Sequence, residues 1–508
     1  MPPKADTRET EEPRVGAPTA DVEVAIVGAG FSGLAMGHYL SKAGIARFRI
    51  FEKADDVGGT WRENHYPGAA CDVPSHLYSF SFDPDPGWSR AYSPQPEILA
   101  YLRETARRHD LLSHVVFGAE VIEARFDEAR GLWTVHTRDR RTERECRTTA
   151  RSLVLGNGAL HIPAIPSFEG KETFRGAQFH SAQWDHAYDL RGKRVAVIGT
   201  GASAIQFVPA IQPEVARMTV FQRTAPWVVP KRDFAIPTGV RALFRRVPPL
   251  QRAYRAWIYT TSEVQAYGFV YEPRLMKLLG KLALRYLARE VPDPVLRRKL
   301  TPTFVMGCKR VLLSNDWYRA LRQPNVEVVT EPIARIEPTG VRTADGVLHE
   351  VDAILYGTGF AVAEYLSSMR IFGRGGQELN ETWKAAPAVH LGISVSGFPN
   401  LFLMMGPATG LGHNSMIFMI EAQARYATQC IDRIRREGLR MLDVTPEAQA
   451  RFTREMEARM PRTVWASGCS SWYQAGDEKK VTALWPGFTF EYWARTRHPD
   501  WSAFEVTR

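Results

Sequence analysis

Short, mainly apolar runs set the rhythm of this chain. Val22–Val27, Phe48–Phe51, Ser152–Leu155, Val195–Ile198, Met218–Gln222, Val326–Val329 and Asp352–Tyr356 are each four to six residues long. That length and character suit strands buried on both faces of a parallel sheet. Phe398–Met405 reads as a further strand, and Val115–Phe126 with Leu132–Thr137 predicts a β-meander. Helical patterns alternate with these runs, through Leu34, Leu40 and Ala43, over Glu97–His109, in a segment ending near Pro209–Pro213, and over Met416–Arg436. Strands alternating with helices predict an α/β fold built on parallel sheets. From about 226 to 307 the rhythm breaks. Leucines recur at 275, 278, 279, 282, 284 and 287, and prolines punctuate the stretch at 248, 249, 273, 292 and 294. This predicts a helical insertion whose Leu and Tyr stripes are expected to face a core.

Two glycine loops give the pattern chemical meaning. Gly28-Ala-Gly30-Phe-Ser-Gly33 follows the first strand directly and opens a helix, and the next strand ends in Glu52. Gly28 permits the tight turn, Gly30 lets backbone approach a pyrophosphate, and Gly33 lets helix and strand pack closely, with the phosphates facing the helix N-terminus. Gly199-Thr-Gly201-Ala-Ser-Ala204 repeats the arrangement with Ala in the third place. Glu52 stands 24 residues after Gly28, and at the same offset from Gly199 stands Arg223. An acid there accepts from free ribose hydroxyls, whereas an arginine pairs with a 2′-phosphate. The first loop therefore suits FAD or NAD, and the second suits NADPH. The fold class that follows is α/β, with two Rossmann-like dinucleotide-binding domains and a helical insertion in the NADP domain.

Composition narrows the setting. The 508 residues are 44% apolar and 24% charged, ordinary for a globular protein of two or three domains. Residues 1–20 are polar and Pro-rich and are expected to form a disordered tail. No apolar run approaches a transmembrane span. Cys71, Cys146, Cys308, Cys430 and Cys469 are scattered, with no C-x-x-C pair. This points to free thiols in a reducing cytoplasm and suggests neither a metal site nor a dithiol motif. The net charge of +10 is concentrated: residues 241–300 hold 13 Lys/Arg against 4 Asp/Glu. No nucleic-acid motif accompanies that excess. It fits a solvated helical surface, with cofactor steering or weak contact with an anionic membrane as the alternatives.

Between the two glycine loops lies Phe174-x-Gly176-x-x-x-His180-x-x-x-Trp184-Asp185. Around it are Gly58-Gly59-Thr60-Trp61, Tyr66-Pro67-Gly68, Cys71-Asp72, Lys309-Arg310, Gly357-Thr-Gly359 and Ser471-Trp472-Tyr473. Taken together and in this order, these motifs resemble the type I Baeyer–Villiger monooxygenases over nearly the whole chain. Related flavin enzymes that oxidise nitrogen and sulfur usually carry Phe or Tyr where Trp184 stands.

The resemblance implies FAD and NADPH as cofactors, and O2 and a small-molecule ketone as substrates. Reduced flavin would react with O2 to give a C4a-peroxyflavin, and the product would be an ester or lactone. It implies Arg310 as the catalytic cation with Asp72 as its carboxylate partner, and Lys309 and Arg223, with Thr224, in the NADPH phosphate region. Gly59, Thr60, Trp61, Asp72 and Gly359 join the cofactor-binding set, and Trp472 belongs to a substrate-side loop. Asp72 taken alone could equally cap a turn. A buried cation needs a partner, which favours the pairing. His180 is expected to act at the junction between domains through conformation and hydrogen bonding, or simply to pin a loop. The segment 474–480 is more charged than in the branch of the family that the 410–415 loop resembles. The expected division is an FAD-binding domain over 21–165 and 363–508, the latter including the substrate-side loop. An NADP-binding domain would span 166–225 and 308–362, and the insertion 226–307. An N- or S-oxygenating flavin monooxygenase is the alternative reading. A disulfide reductase lacks its cysteine pair, and a nucleotide-sensing module would not need Arg310 or Asp72.

Overall fold

The computed structural model describes residues 20–362, 366–384, 386–475 and 480–508. The expected N-terminal tail therefore lies outside the described residues apart from Ala20, as does most of the charged segment 474–480. Two parallel sheets carry the fold. In the first, β1 (Val22–Val27) lies between β2 (Phe48–Glu52) and β6 (Glu145–Leu155), and all three run parallel where they meet. Four of the last five residues of β1 are wholly or nearly wholly buried, as expected for a strand covered on both faces. The meander is formed by β4 (Ala119–Asp127), β5 (Leu132–Asp139) and the first half of β6. The last half of β6 continues into the parallel sheet, so one long strand serves both. Two later strands, Arg370–Phe372 and Leu401–Leu403, pair with β4 and β6.

Some boundaries differ from the expectation. Residues 115–117 leave the meander and form β3 (Val115–Phe117), parallel to β2 at the sheet edge. The run Phe398–Met405 keeps only Leu401–Leu403 as strand. Asn400 and Met405 adopt positive φ on either side of it, so the run breaks into turns although it is apolar.

The second sheet contains β7 (Ala177–His180), β8 (Arg194–Ile198), β9 (Arg217–Phe221), β10 (Val326–Val329) and β11 (Ala353–Tyr356). Its spatial order is β10-β9-β8-β11-β7, and every pair is parallel. The signature stretch thus supplies an edge strand, with His180 opposite Tyr356.

Four helices, Thr238–Arg246, Pro248–Ala266, Pro273–Glu290 and Pro294–Lys299, fill the insertion. The expectation that its leucines are core is met by Leu287 and corrected for the other five. Met276, Gly280, Ala283 and Leu287 form the buried face of Pro273–Glu290. Leu275, Leu278, Leu279, Leu282 and Leu284 are exposed. Helical spacing identifies a stripe but not what covers it, and here Met276, Gly280 and Ala283 share the inner face with Leu287 alone of the six leucines.

Candidate functional site

A cleft of about 1450 Å3 runs between the sheets. The second glycine loop lines it through Gly199 and Gly201, whereas the first reaches it only through the neighbouring Gly59–Thr60 loop. At Gly199 φ is +104°, and a Cβ would stand 2.4 Å from the Gly357 carbonyl oxygen, so only glycine fits the crossing of these loops. Gly28 is held in the same way against the Gly156 carbonyl, and Gly33 packs on the Gly28 carbonyl. The helices Phe31–Lys42 and Ala204–Ile211 that follow the loops begin without a side-chain cap. Their first N–H groups are thus open to an anion.

Glu52 is buried, and its carboxylate accepts from the Ala29 N–H at 2.8 Å and the Ala54 N–H at 3.0 Å. These bonds aim it across the first loop. Gly30 touches Gly59 of the neighbouring loop. Thr60 and Trp61 line the cleft, and the Trp61 indole donates to Tyr78.

Across the cleft, Gly201, Arg223, Thr224, Lys309 and Gly359 line the second nucleotide side. Ala204 opens the helix beneath them and packs against Gly357. Lys309 is pushed below its usual pKa, first by burial and then by the neighbouring Arg223 charge. Among the described residues neither cation has an acidic partner. Two such cations beside an uncapped helix start fit the phosphates of a dinucleotide.

Asp72 and Arg310 meet in the wall between these sides. The Arg310 Nε donates to Asp72 Oδ2 at 2.7 Å, and Nη2 lies 2.6 Å from the same oxygen. Asp72 holds the guanidinium well above its usual pKa, so it stays charged. Both side chains keep 29% exposure and border the cleft. The pairing decides between the two readings of Asp72: it is the partner of a cation.

The signature residues lie behind the cleft. Phe174 is buried, and a Cβ at Gly176 would collide with its ring and with the Asp352 carbonyl. Trp184 is buried against Phe179 and Phe207. Asp185 is exposed and caps a turn by accepting from the Ala187 N–H at 2.9 Å. His180 is fully buried, with Nδ1 accepting from the Ala182 N–H at 3.1 Å. Its Nε2 faces the Gly359 backbone without a well-formed hydrogen bond, and burial lowers its pKa to about 4. It is therefore neutral and lies behind the Gly359 loop.

Gln206 escaped the sequence reading, and Tyr473 was named there only as part of the Ser471–Tyr473 motif. Gln206 accepts from the Tyr66 hydroxyl at 2.9 Å and donates to the Ala70 carbonyl at 2.9 Å, tying the helix after the second loop to the segment that carries Asp72. Tyr473 is buried beside Arg310 with its hydroxyl unsatisfied, and burial pushes it up to about 12. Its neighbour Trp472 is 48% exposed at the cleft mouth.

The expectation of free thiols is corrected for one pair. Cys308 and Cys469 form a disulfide across 161 residues, while Cys71, Cys146 and Cys430 are free. The bond joins the segment carrying Lys309 and Arg310 to the loop carrying Trp472 and Tyr473. No spacing rule reveals a bridge that depends on two distant loops meeting.

Comparison with known proteins agrees with this geometry. A Baeyer–Villiger monooxygenase of Pseudomonas aeruginosa is 45% identical over 486 residues, covering 96% of this chain and 91% of the relative. The chain is a member of the Baeyer–Villiger monooxygenase family. Another such monooxygenase, from Streptomyces coelicolor, is 43% identical over 96% of this chain and 93% of its own. The flavin-binding monooxygenase-like family model matches residues 21–246. A solved structure of OTEMO in complex with FAD and NADP superposes with a TM-score of 0.87 at 26% identity, covering 96% of this chain and all of that one. This Baeyer–Villiger monooxygenase uses FAD and NADPH to insert one oxygen atom from O2 beside a ketone carbonyl.

Proposed function

We propose that the Arg310–Asp72 pair is the chemical centre of this monooxygenase and that the cleft beside it receives the ketone. The carrying observation is a permanently charged guanidinium, locked by one carboxylate oxygen, in the wall shared by both nucleotide sides. When bound, FAD supplies the redox and oxygen-activating chemistry, and NADPH supplies the hydride. The protein's share is electrostatic. Arg310 stabilises negative charge that develops at the reacting oxygen, and Asp72 fixes where that positive charge points. The uncapped helix starts orient the two pyrophosphates. Glu52 addresses the ribose of the flavin nucleotide, and Arg223 with Lys309 addresses the extra phosphate that distinguishes NADPH from NADH. Trp472 covers the cleft mouth and limits water entry. The signature residues hold the second sheet's edge, so His180 and Gln206 couple the nucleotide sides by position and transfer no proton.

The division proposed with this reading is 21–165 with 363–508 around FAD, 166–225 with 308–362 around NADP, and 226–307 as the insertion. Among the described residues no helix is long and apolar enough to cross a membrane. A cytoplasmic setting suits an NADPH-using enzyme.

The test is a panel of open-chain, aryl and cyclic ketones, with an amine and a sulfide beside them, analysed by product and not by NADPH loss. Esters or lactones formed in proportion to NADPH support the proposal. Amine or sulfide oxides without any ester would overturn it in favour of the N- or S-oxygenating alternative.

A further inference from the structure

The insertion shows water an apolar surface it does not need for folding. Thirteen of the twenty-two exposed large apolar side chains among the described residues lie between Val240 and Leu284. Single exposed apolar residues are normal, but a contiguous set marks a contact surface. On Pro273–Glu290, Leu275, Leu278, Leu279 and Leu282 follow the i, i+3, i+4, i+7 spacing of one helix face, away from the buried Met276–Gly280–Ala283–Leu287 face. Leu278 is 56% exposed and Leu282 50%. On Pro248–Ala266 and the turn after it, Leu250, Trp257, Val264 and Tyr271 repeat every seven residues along a second exposed line. The lines meet at Tyr271, four residues before Leu275.

Charge identifies the occupant. Lys277, Lys281 and Arg285 border the leucine stripe on its helix, and all three are exposed. Among the described residues none of them has an ion-pair partner, nor has Arg245 or Arg246. Between 241 and 285 the acids are Glu263 and Glu272. Glu263 is buried, where Asn414 and Thr489 donate to it, and Glu272 caps the helix start and lies 3.9 Å from Arg274. A second copy of this chain would set one unneutralised basic face against another. An anionic bilayer surface offers the complement: apolar depth for the leucines and Trp257, and headgroup charge for cations whose long stems reach past the stripe.

We propose that the helices at 238–290 dock this enzyme on anionic lipid surfaces, lying in the interface without spanning it. The experiment is flotation of the full-length, FAD-loaded enzyme with vesicles of equal phosphatidylglycerol and phosphatidylcholine, and with phosphatidylcholine alone. Light scattering of the free protein accompanies it. The expected result is binding to the anionic vesicles only, reduced by about tenfold or more in Leu278→Ser/Leu282→Ser and in Lys277→Glu/Lys281→Glu, and weakened by high salt. These side chains are exposed, so both variants should fold and retain wild-type NADPH oxidation. Three results would overturn the proposal: no flotation, flotation indifferent to both variants, or a dimer that the leucine variant dissociates. Retention on an acidic polypeptide resin without vesicle binding would reassign the surface to an acidic protein.

Discussion

Asp72→Asn tests the positioning argument most sharply, because it removes one charge and almost no volume. In the native cleft a single carboxylate oxygen meets Nε at 2.7 Å and Nη2 at 2.6 Å. At an effective dielectric of about 20 the gross attraction at that separation is roughly 6 kcal/mol. Desolvation of the two partly buried groups offsets much of this, leaving a net of about 2–3 kcal/mol for holding Arg310 in place. That corresponds to a factor of roughly 30–150 in the docked population. Ester formation should fall by about that factor, because the cation no longer points at the site of developing charge. Anaerobic reduction of the flavin by NADPH should stay within about threefold, since the residues assigned to the riboses and phosphates are unchanged. Stopped-flow absorbance measures the second rate, and product analysis measures the first. Ester formation at the wild-type rate in Asp72→Asn would refute the positioning role. An equal loss of flavin reduction would show that Asp72 supports cofactor binding instead.

Three further expectations follow from neighbouring contacts. Arg223→Ala should raise the KM for NADPH about tenfold or more with little change in kcat, and should narrow the preference for NADPH over NADH; steady-state kinetics with both cofactors checks this. Tyr473→Phe removes a buried hydroxyl that lies beside Arg310 without a well-formed hydrogen bond, so it should change the melting temperature little, and any loss of ester formation would mean that the hydroxyl helps position Arg310 or serves a bound molecule. Burial raises Asp443 from its usual value to about 7. Such an acid contributes its full stability below its unfolded pKa and loses it as pH rises through about 7. Asp443→Asn should therefore gain melting temperature relative to wild type at pH 8, with the gain vanishing near pH 4; calorimetry at the two pH values decides it.

The sequence revealed those features whose physics is local. β1, β2, β8 and β9 were readable because buried parallel strands are continuous apolar runs, and Gly28 and Gly199 because a tight turn before a helix demands glycine. Arg223 was readable by its offset alone. Features set by distant meetings were not. Asp72 could have been a cap until Arg310, 238 residues away, was found against it. Cys308 and Cys469 gave no pairing signal. Gln206 sits in an ordinary amphipathic helix and became a bridge only through Tyr66 and Ala70. The insertion's leucines failed for a different reason. Their period was right, but only Leu287 joined Met276, Gly280 and Ala283 on the inner face, where Gly280 lets the helix approach Trp227.

The most direct test of the central claim is Arg310→Ala, assayed with a ketone the wild type converts and followed through both half-reactions. The structure predicts flavin reduction by NADPH near the wild-type rate and a loss of ester formation of about 100-fold or more, the scale of removing one preorganised electrostatic group. Full ester formation in Arg310→Ala would contradict the account.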